Sequence, residues 1–551
     1  MTKIKTITTY TVLIIVSLMM MFGISRIENS LDKDVKEYHL RFTGEIKNAP
    51  AFITFTTVAL GSFRGVLADI LWLRQMALKD QGSYFEMVQL ASWITKLQPQ
   101  FAGSAVYLGW EMAYNLSVTC SNFEDRWRWI QEGIKLLRDE AMIYNPEDVD
   151  IYVDLAKLYF LKFGNVFDDA HLFYKNKLFM ETSRVIGANP NWEAMAKVTP
   201  WFRLMDWNEE KSFFEKFPQN GSVWQEITAK TPYKSFPELL EAYTKADGIP
   251  ASIDFLSKED SEWMNYFLRA CWIWNTFKLN PHRVADINKE YGNLDWRTPE
   301  AFAIYWAKLG IEFRPPNQTR RQLDNVIAIS LQESFRHGRP LLTDPENMVY
   351  FIGVPNFSML ERTLKSAEEG YENNKDESFL LSRNYFLRDA IVLLYSYGQT
   401  SEAQRMFDLL KETDVGMKDS PLTLKQFYDL NVYDMIEFAT VKEIGELMVG
   451  TIYCALHYWV LGDQNRAMEL EKSLNWMYNK YLEDNSVRVS GVELPPLEVL
   501  YAAVVDNFIK TAPPQLAKRL EQLIKVNTEQ QKAREEEARK IEEAKSPLPG
   551  M

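Results

Sequence analysis

The chain has 551 residues, a formal net charge of −13 and a pI near 5.2, with 46% hydrophobic and 25% charged residues. This acidic balance argues against a nucleic-acid partner, because a protein needs a basic face to displace counterions from phosphates. The length exceeds what one compact core usually holds, which predicts several domains or an extended repeat array.

The N-terminus carries a predicted membrane anchor over residues 1–25. Lys3 and Lys5 precede an uncharged run over 6–25, which at about 1.5 Å per residue is long enough to span a bilayer. Positive charges ahead of the run place the N-terminus in the cytoplasm and the bulk of the chain in the periplasm or outside. The alternative is a signal peptide cleaved at the end of the run. Residues 26–48 are predicted to be a tether.

Residues 49–200 predict a series of amphipathic helical hairpins. Three stretches of similar length end at Pro99, Pro146 and Pro190, and each reads as two helices. Proline disfavours helical backbone in the residue before it, so each one is a stop signal at the same point of a recurring unit. The uncharged stretch over 48–63 is interpreted as the first buried helix or as an interfacial one.

The middle region, residues 201–380, is helical but less regular. Proline-rich breaks interrupt it, although LDWRTPEAFAIYWAKLG contains a clear helix start. Thr298 suits the N-cap of that helix, Pro299 suits its first position, and Glu300 meets the positive end of the helix dipole.

The hairpin pattern returns over residues 381–526. Gly398 and Gly462 are predicted to end the first helix of a pair, while Ala403 and Ala467 let the second helix pack closely against it. The chain ends in a charged tail over 527–551, without an apolar stripe. The predicted fold is therefore all-α, a solenoid of helical hairpins behind one N-terminal transmembrane helix.

The glycine, aromatic and proline spacing of Gly82, Tyr84 and Pro99 resembles the tetratricopeptide repeat, as do the Gly-x4-Ala pairs near the C-terminus. Met87 stands where that family has a small residue, and the prolines are spaced more widely than in the family. The phrases around Trp72 and Trp296 are also similar to uncharacterised membrane-anchored bacterial helical-repeat proteins. The resemblance implies an interaction scaffold that binds a protein or peptide partner.

In such repeats the first helix of each pair lines the concave face. That frame implies six candidate residues for binding an extended peptide: Trp72, Lys79, Tyr385, Arg388, Tyr395 and Trp459. The arginine would pair with a carboxylate while the rings cover apolar side chains, a combination found at interface hot spots.

The chain lacks the motifs of nucleotide, dinucleotide, serine-hydrolase and zincin sites, so no catalytic residue, metal or cofactor is predicted. Two further interpretations stay open. Asp168, Asp169 and His171 either cap a helix or offer metal ligands. The aromatic clusters either pack in the core or stack on sugars, as in a carbohydrate-binding or carbohydrate-cleaving envelope protein; they are Trp127/Trp129, Trp272/Trp274 and Trp296/Tyr305/Trp306. The three cysteines, Cys120, Cys271 and Cys454, predict buried small hydrophobes.

Overall fold

The structure is a computed structural model that describes residues 63–98, 101–164, 168–187, 190–199, 209–217, 221–313, 316–342, 351–438, 441–485 and 494–526. These residues are overwhelmingly helical, which confirms the all-α prediction. The predicted anchor, the tether and the charged tail lie outside them. The chain divides into two compact units, Met1–Arg64 and Gly65–Met551, and all contacts below belong to the second.

Three helical hairpins occupy the N-terminal part, where the sequence predicts them. Gly82, in the first turn, has φ of +71°, which glycine adopts without the steric cost of a Cβ atom. Pro146 follows the second hairpin. The α-helices are α1 (Phe63–Asp80), α2 (Tyr84–Leu97), α3 (Ala102–Trp110), α4 (Ser117–Thr119), α5 (Phe123–Lys135), α6 (Met142–Tyr144), α7 (Val149–Lys157) and α8 (His171–Ile186).

Three π-helical turns interrupt or extend these helices: π1 (Glu111–Leu116), π2 (Leu136–Ala141) and π3 (Leu158–Phe163). Such turns are rare and often mark functional or constrained positions. Each one here buries a charged side chain, namely Glu111, Arg138 and Lys162. The N-terminal hairpins therefore carry buried charge as well as an apolar core.

The middle region is helical and contains a helix that is buried along most of its length. Its elements are α9 (Trp192–Val198), α10 (Glu209–Lys216), α11 (Ser222–Lys230), α12 (Phe236–Ala246), α13 (Lys258–Phe277), α14 (Pro281–Tyr291), α15 (Pro299–Glu312), α16 (Asn317–His337), the strands β1 (Arg339–Leu342) and β2 (Phe351–Val354), and α17 (Leu360–Asn374). Short 3-10 turns lie at Ala251–Ile253 and Phe357–Met359. The strands form an antiparallel hairpin in which Arg339 pairs with Val354.

Helix α15 packs along α7 and π3 on one side and α16 on another. Phe302 stacks on Tyr159 with ring centroids 4.8 Å apart, and Tyr152 lies against Trp306. In a simple solenoid each hairpin contacts only its neighbours in sequence, whereas these contacts join helices far apart in the chain. Helices before and after residue 200 therefore share one apolar core. A solenoid over residues 49–200 alone stays a prediction.

The start of α15 follows the sequence prediction with one difference. Pro299 is the first helical residue and Glu300 lies in the first turn. Thr298 precedes the helix, but its hydroxyl donates to the backbone oxygen of Asp295 at 2.8 Å instead of accepting a helix N–H. The threonine hydroxyl stabilises the turn that precedes the helix, and it therefore does not cap a backbone N–H of the first helical turn.

The C-terminal part contains both predicted glycine turns. Gly398 and Gly462 have φ of +73° and +90°, and Ala403 and Ala467 are fully buried. The helices are α18 (Ser378–Ser396), α19 (Thr400–Thr413), α20 (Leu424–Phe438), α21 (Val441–Leu461), α22 (Gln464–Asn485), α23 (Leu497–Thr511) and a last helix over 514–526.

Within the described residues, the segment Ile444–Leu461 of α21 is the one helix long and apolar enough to cross a membrane. It is 72% buried against the rest of the fold, as is typical of a core helix. Leu447, Met448 and Ile452 on this segment belong to an apolar core shared with α22 and α23. We therefore interpret α21 as the centre of the C-terminal core.

Candidate functional site

Two of the three predicted groove residues on α18, Arg388 and Tyr395, are engaged within the fold. Arg388 pairs with Asp414 at 2.7 Å, and this neighbour holds the pKa of the aspartate below its ordinary value. The ring of Tyr395 lies 4.4 Å from that of Tyr428 on α20. Helix α20 thus covers part of the α18 surface that the repeat frame assigns to a peptide. The repeat pattern did not predict this contact, because the spacing of residues within the two hairpins carries no information about a helix that lies between them in the chain.

The other C-terminal candidates are Tyr385 and Trp459. Tyr385 on α18 is exposed, with 62% of its surface accessible. Trp459 on α21 donates its indole N–H to Glu471 at 2.8 Å, and Tyr501 donates to the same carboxylate at 3.0 Å. The tryptophan therefore has a structural partner inside its own hairpin.

Trp72 lies in an open groove between the first two hairpins. The groove has a volume of about 480 Å³ and is formed by α1, α2 and the start of α3. Its lining is mostly apolar: Ala68, Asp69, Trp72, Ile94, Gln98, Phe101, Gly103, Ser104 and Tyr107. We call this surface the Trp72 groove. The side chain of Lys79, also predicted to line a groove, lies outside the described part of the chain.

Two features give the Trp72 groove its chemistry. The rings of Trp72 and Tyr107 are 5.1 Å apart and tilted by 40°, and the ring of Phe101 is 59% exposed nearby. Asp69 is exposed and makes no ion pair or hydrogen bond with any described residue. The groove therefore offers aromatic faces beside one negative charge that no described residue compensates, a combination that suits an apolar side chain next to a cation.

Sequence reasoning identified Trp72 but missed Asp69 and Tyr107. Asp69 precedes Trp72 by three positions, a spacing that places both on one helix face. A charged residue within the apolar segment VLADILWL could have indicated a functional position beside Trp72. Tyr107 gave no comparable signal, since its position depends on how the second hairpin packs on the first.

The metal-ligand alternative at the start of α8 is not supported by the geometry. Lys162 pairs with Asp168, and Arg126 pairs with Asp169, so cationic side chains already contact both carboxylates. Asp168 also accepts a hydrogen bond from the Ala170 N–H at 2.9 Å, as a residue that organises a helix start does. Among the residues that the structure describes, no group of three potential ligands is placed to hold a metal ion.

The aromatic clusters that suggested sugar binding lie in the core. Trp127, Trp129, Trp272 and Trp274 are all buried, as is the cluster around Trp306. Trp192 and Trp296 meet edge to face at 5.7 Å within the same core. A sugar needs an open ring face on which to stack, and these clusters present none. Cys271 and Cys454 are buried and Cys120 is half-buried, and none of the three forms a disulfide bond.

Comparison of the chain with protein-family models, with curated proteins and with solved structures finds no match.

Proposed function

We propose that the protein is a membrane-anchored, tetratricopeptide-like helical scaffold that binds a segment of a partner protein in the Trp72 groove. Its bulk lies in the periplasm or outside, held at the cytoplasmic membrane by residues 1–25. The observation that carries the proposal is the open apolar groove around Trp72 and Tyr107. This groove lies between the first helices of two consecutive hairpins, where the resemblance implies a peptide surface.

The chemistry of the groove defines the partner segment. Asp69 has no cationic partner among the described residues, so a lysine or arginine of the partner supplies a compensating charge. The same cation gains from the adjacent Trp72 ring, since cation–π attraction is strongest with tryptophan. A neighbouring aliphatic or aromatic side chain of the partner then covers Phe101 and Tyr107. The acidic chain, with a net charge of −13, also attracts a basic partner at long range.

Peptide display on the full-length protein in detergent tests the partner chemistry. We expect selected peptides to carry a basic residue beside an apolar one. A fluorescent copy of a selected peptide should bind Asp69→Lys at least about tenfold more weakly, because the substitution opposes like charges, and Trp72→Ala should also weaken binding. Asp69→Lys should keep the wild-type melting temperature, since Asp69 is exposed. Trp72→Ala removes the ring contact with Tyr107 and should lower it, so binding is measured well below the melting temperature of both variants.

The matched control is Asp286→Lys on α14, where an aspartate is likewise exposed and without a described partner. It changes the net charge equally but lies outside the Trp72 groove. Equal peptide affinity in the two lysine variants would refute the groove as the binding site. Selected peptides without basic residues would refute the proposed partner chemistry.

The anchor is tested separately. Full-length protein expressed in a bacterial host should stay in the membrane fraction after carbonate extraction, because a spanning helix buries its apolar surface in lipid. Deletion of residues 1–25 should release a soluble helical protein. An N-terminal sequence of the mature protein that begins near Arg26 would show cleavage instead, and release by carbonate would show a peripheral attachment.

A further inference from the structure

A second pocket lies where distant parts of the chain meet. It has a volume of about 590 Å³ and is formed by the loop after α8, the segment from α14 into α15, the start of β1, the turn after β2 and Asn507 on α23. These elements all belong to the unit Gly65–Met551. We call it the asparagine pocket, because four asparagine side chains line it: Asn288, Asn293, Asn356 and Asn507.

Two of these asparagines have fixed orientations. The oxygen of Asn288 accepts the indole N–H of Trp296 at 3.0 Å, and the oxygen of Asn356 accepts the hydroxyl of Ser358 at 2.7 Å. An indole N–H can only donate, so the first amide oxygen is committed to that bond. The NH2 groups of both asparagines make no hydrogen bond with a described residue. Asn356 is 4% exposed, so its free donors are held rigidly by the fold.

The charges around the asparagine pocket leave one cation unpaired. Asp295 is engaged by Arg297 through two contacts of 2.8 and 2.6 Å, so these two charges compensate each other. Arg339, the first residue of β1, is exposed and forms no ion pair with any described residue. Among the described residues, the pocket therefore combines amide donors with one guanidinium that no carboxylate neutralises.

This imbalance identifies the ligand class. A carboxylate matches the planar fork of a guanidinium, and carbonyl or hydroxyl oxygens match the amide donors. A neutral sugar fits less well, because Trp192 and Trp296, the two indoles that border the pocket, are buried and offer no open ring face. We propose that the asparagine pocket is a second binding site, separate from the Trp72 groove, for a carboxylate-bearing ligand rich in hydrogen-bond acceptors.

Two sources supply that chemistry, a free polypeptide C-terminus and a small hydroxylated acid. The probes are N-acetyl-alanyl-alanine with its C-terminal amide, and glucuronic acid with glucose. Binding is measured on full-length protein in detergent by calorimetry and by the fluorescence of tryptophan, to about 10 mM ligand. We expect one of the two acids to bind at least about tenfold more tightly than its neutral counterpart, because a charge-assisted hydrogen bond is lost in the latter.

The variants locate the binding. Arg339→Gln removes the free cation from an exposed position, and Asn293→Asp adds a negative charge at the rim; each should weaken the acid at least about tenfold. Arg128→Gln on α5 is the control, since it removes a positive charge from an exposed position outside the asparagine pocket. Both pocket variants alter exposed side chains, so the melting temperature should not change.

The outcomes decide the proposal. Binding of the peptide acid alone supports a C-terminal segment as the source, and binding of glucuronic acid alone supports a small hydroxylated acid. Equal affinity for acid and neutral counterpart overturns the proposal, as does failure of both acids to bind. Equal affinity in the Arg339→Gln and Arg128→Gln variants also overturns it. Competition by inorganic phosphate at the same concentration would reduce the pocket to a general anion site and refute the carboxylate assignment.

Discussion

Replacing Phe302 by alanine should lower the free energy of unfolding by about 3–5 kcal/mol, among the largest effects of any single substitution in this chain. The side chain is fully buried in the first turn of α15, stacks on Tyr159 and meets Phe277 edge to face at 5.5 Å. Truncation loses the transfer free energy of the ring and leaves a cavity that neighbouring helices fill only partly. Because Tyr159 lies in the third N-terminal hairpin, the loss should loosen both regions together.

Urea unfolding followed by tryptophan fluorescence measures this effect. Leu381→Ala is the control, since that side chain is 57% exposed and its truncation should change stability little. A double-mutant cycle between Phe302→Ala and Tyr159→Leu should give a coupling energy of about 0.5–1.5 kcal/mol from the stacked rings. A coupling near zero would contradict the packing of α15 on the N-terminal hairpins.

Lys162→Met should also cost about 3–5 kcal/mol at neutral pH. Lys162 and Asp168 are both buried and form an ion pair, so removal of the ammonium leaves a buried carboxylate. Arg126 lies 3.8 Å from this carboxylate and compensates it only in part. Lys245→Met is the control, because its partner Glu241 and the lysine itself are both largely exposed, and such pairs contribute little.

The same pair predicts a dependence of stability on pH. Burial alone would raise the pKa of the Asp168 carboxyl, but the Lys162 ammonium and the Ala170 N–H hold it below its ordinary value. A carboxyl with a lowered folded-state pKa stabilises the fold fully above its unfolded pKa near 4, and this contribution disappears as the pH falls through the folded value. Unfolding measured between pH 7 and pH 3 should show this loss in wild type, and a smaller loss in Lys162→Met. Parallel curves for the two proteins would contradict the pairing.

Local signals account for the parts of the fold that the sequence predicts correctly. Gly82, Gly398 and Gly462 end helices because a turn with positive φ favours glycine wherever it occurs in a chain. Ala467 is buried where a small residue permits close helix packing. These features depend on a few adjacent residues, so the local sequence pattern is enough to predict them.

Non-local packing explains what the sequence could not show. The partners of Arg388 and Tyr395, Asp414 and Tyr428, lie outside the helix that carries both residues, so the repeat frame did not include them. Trp72 was correctly predicted to line a groove, because its position within its own helix determines the face on which the side chain lies. The asparagine pocket draws on segments from both halves of the chain, and no spacing within one segment indicates it.

The position of α15 in the chain has a consequence for biosynthesis. Synthesis proceeds from the N-terminus at about 5–20 residues per second, so α7 and π3 leave the ribosome on the order of ten seconds before α15. Until α15 arrives, Tyr159 and its apolar neighbours lack the surface that covers them in the finished fold. Transiently exposed apolar helices of this kind aggregate or recruit chaperones. The nascent chain would therefore need a holding chaperone until residue 312 has emerged, and a fragment that ends at residue 200 would keep that surface exposed permanently.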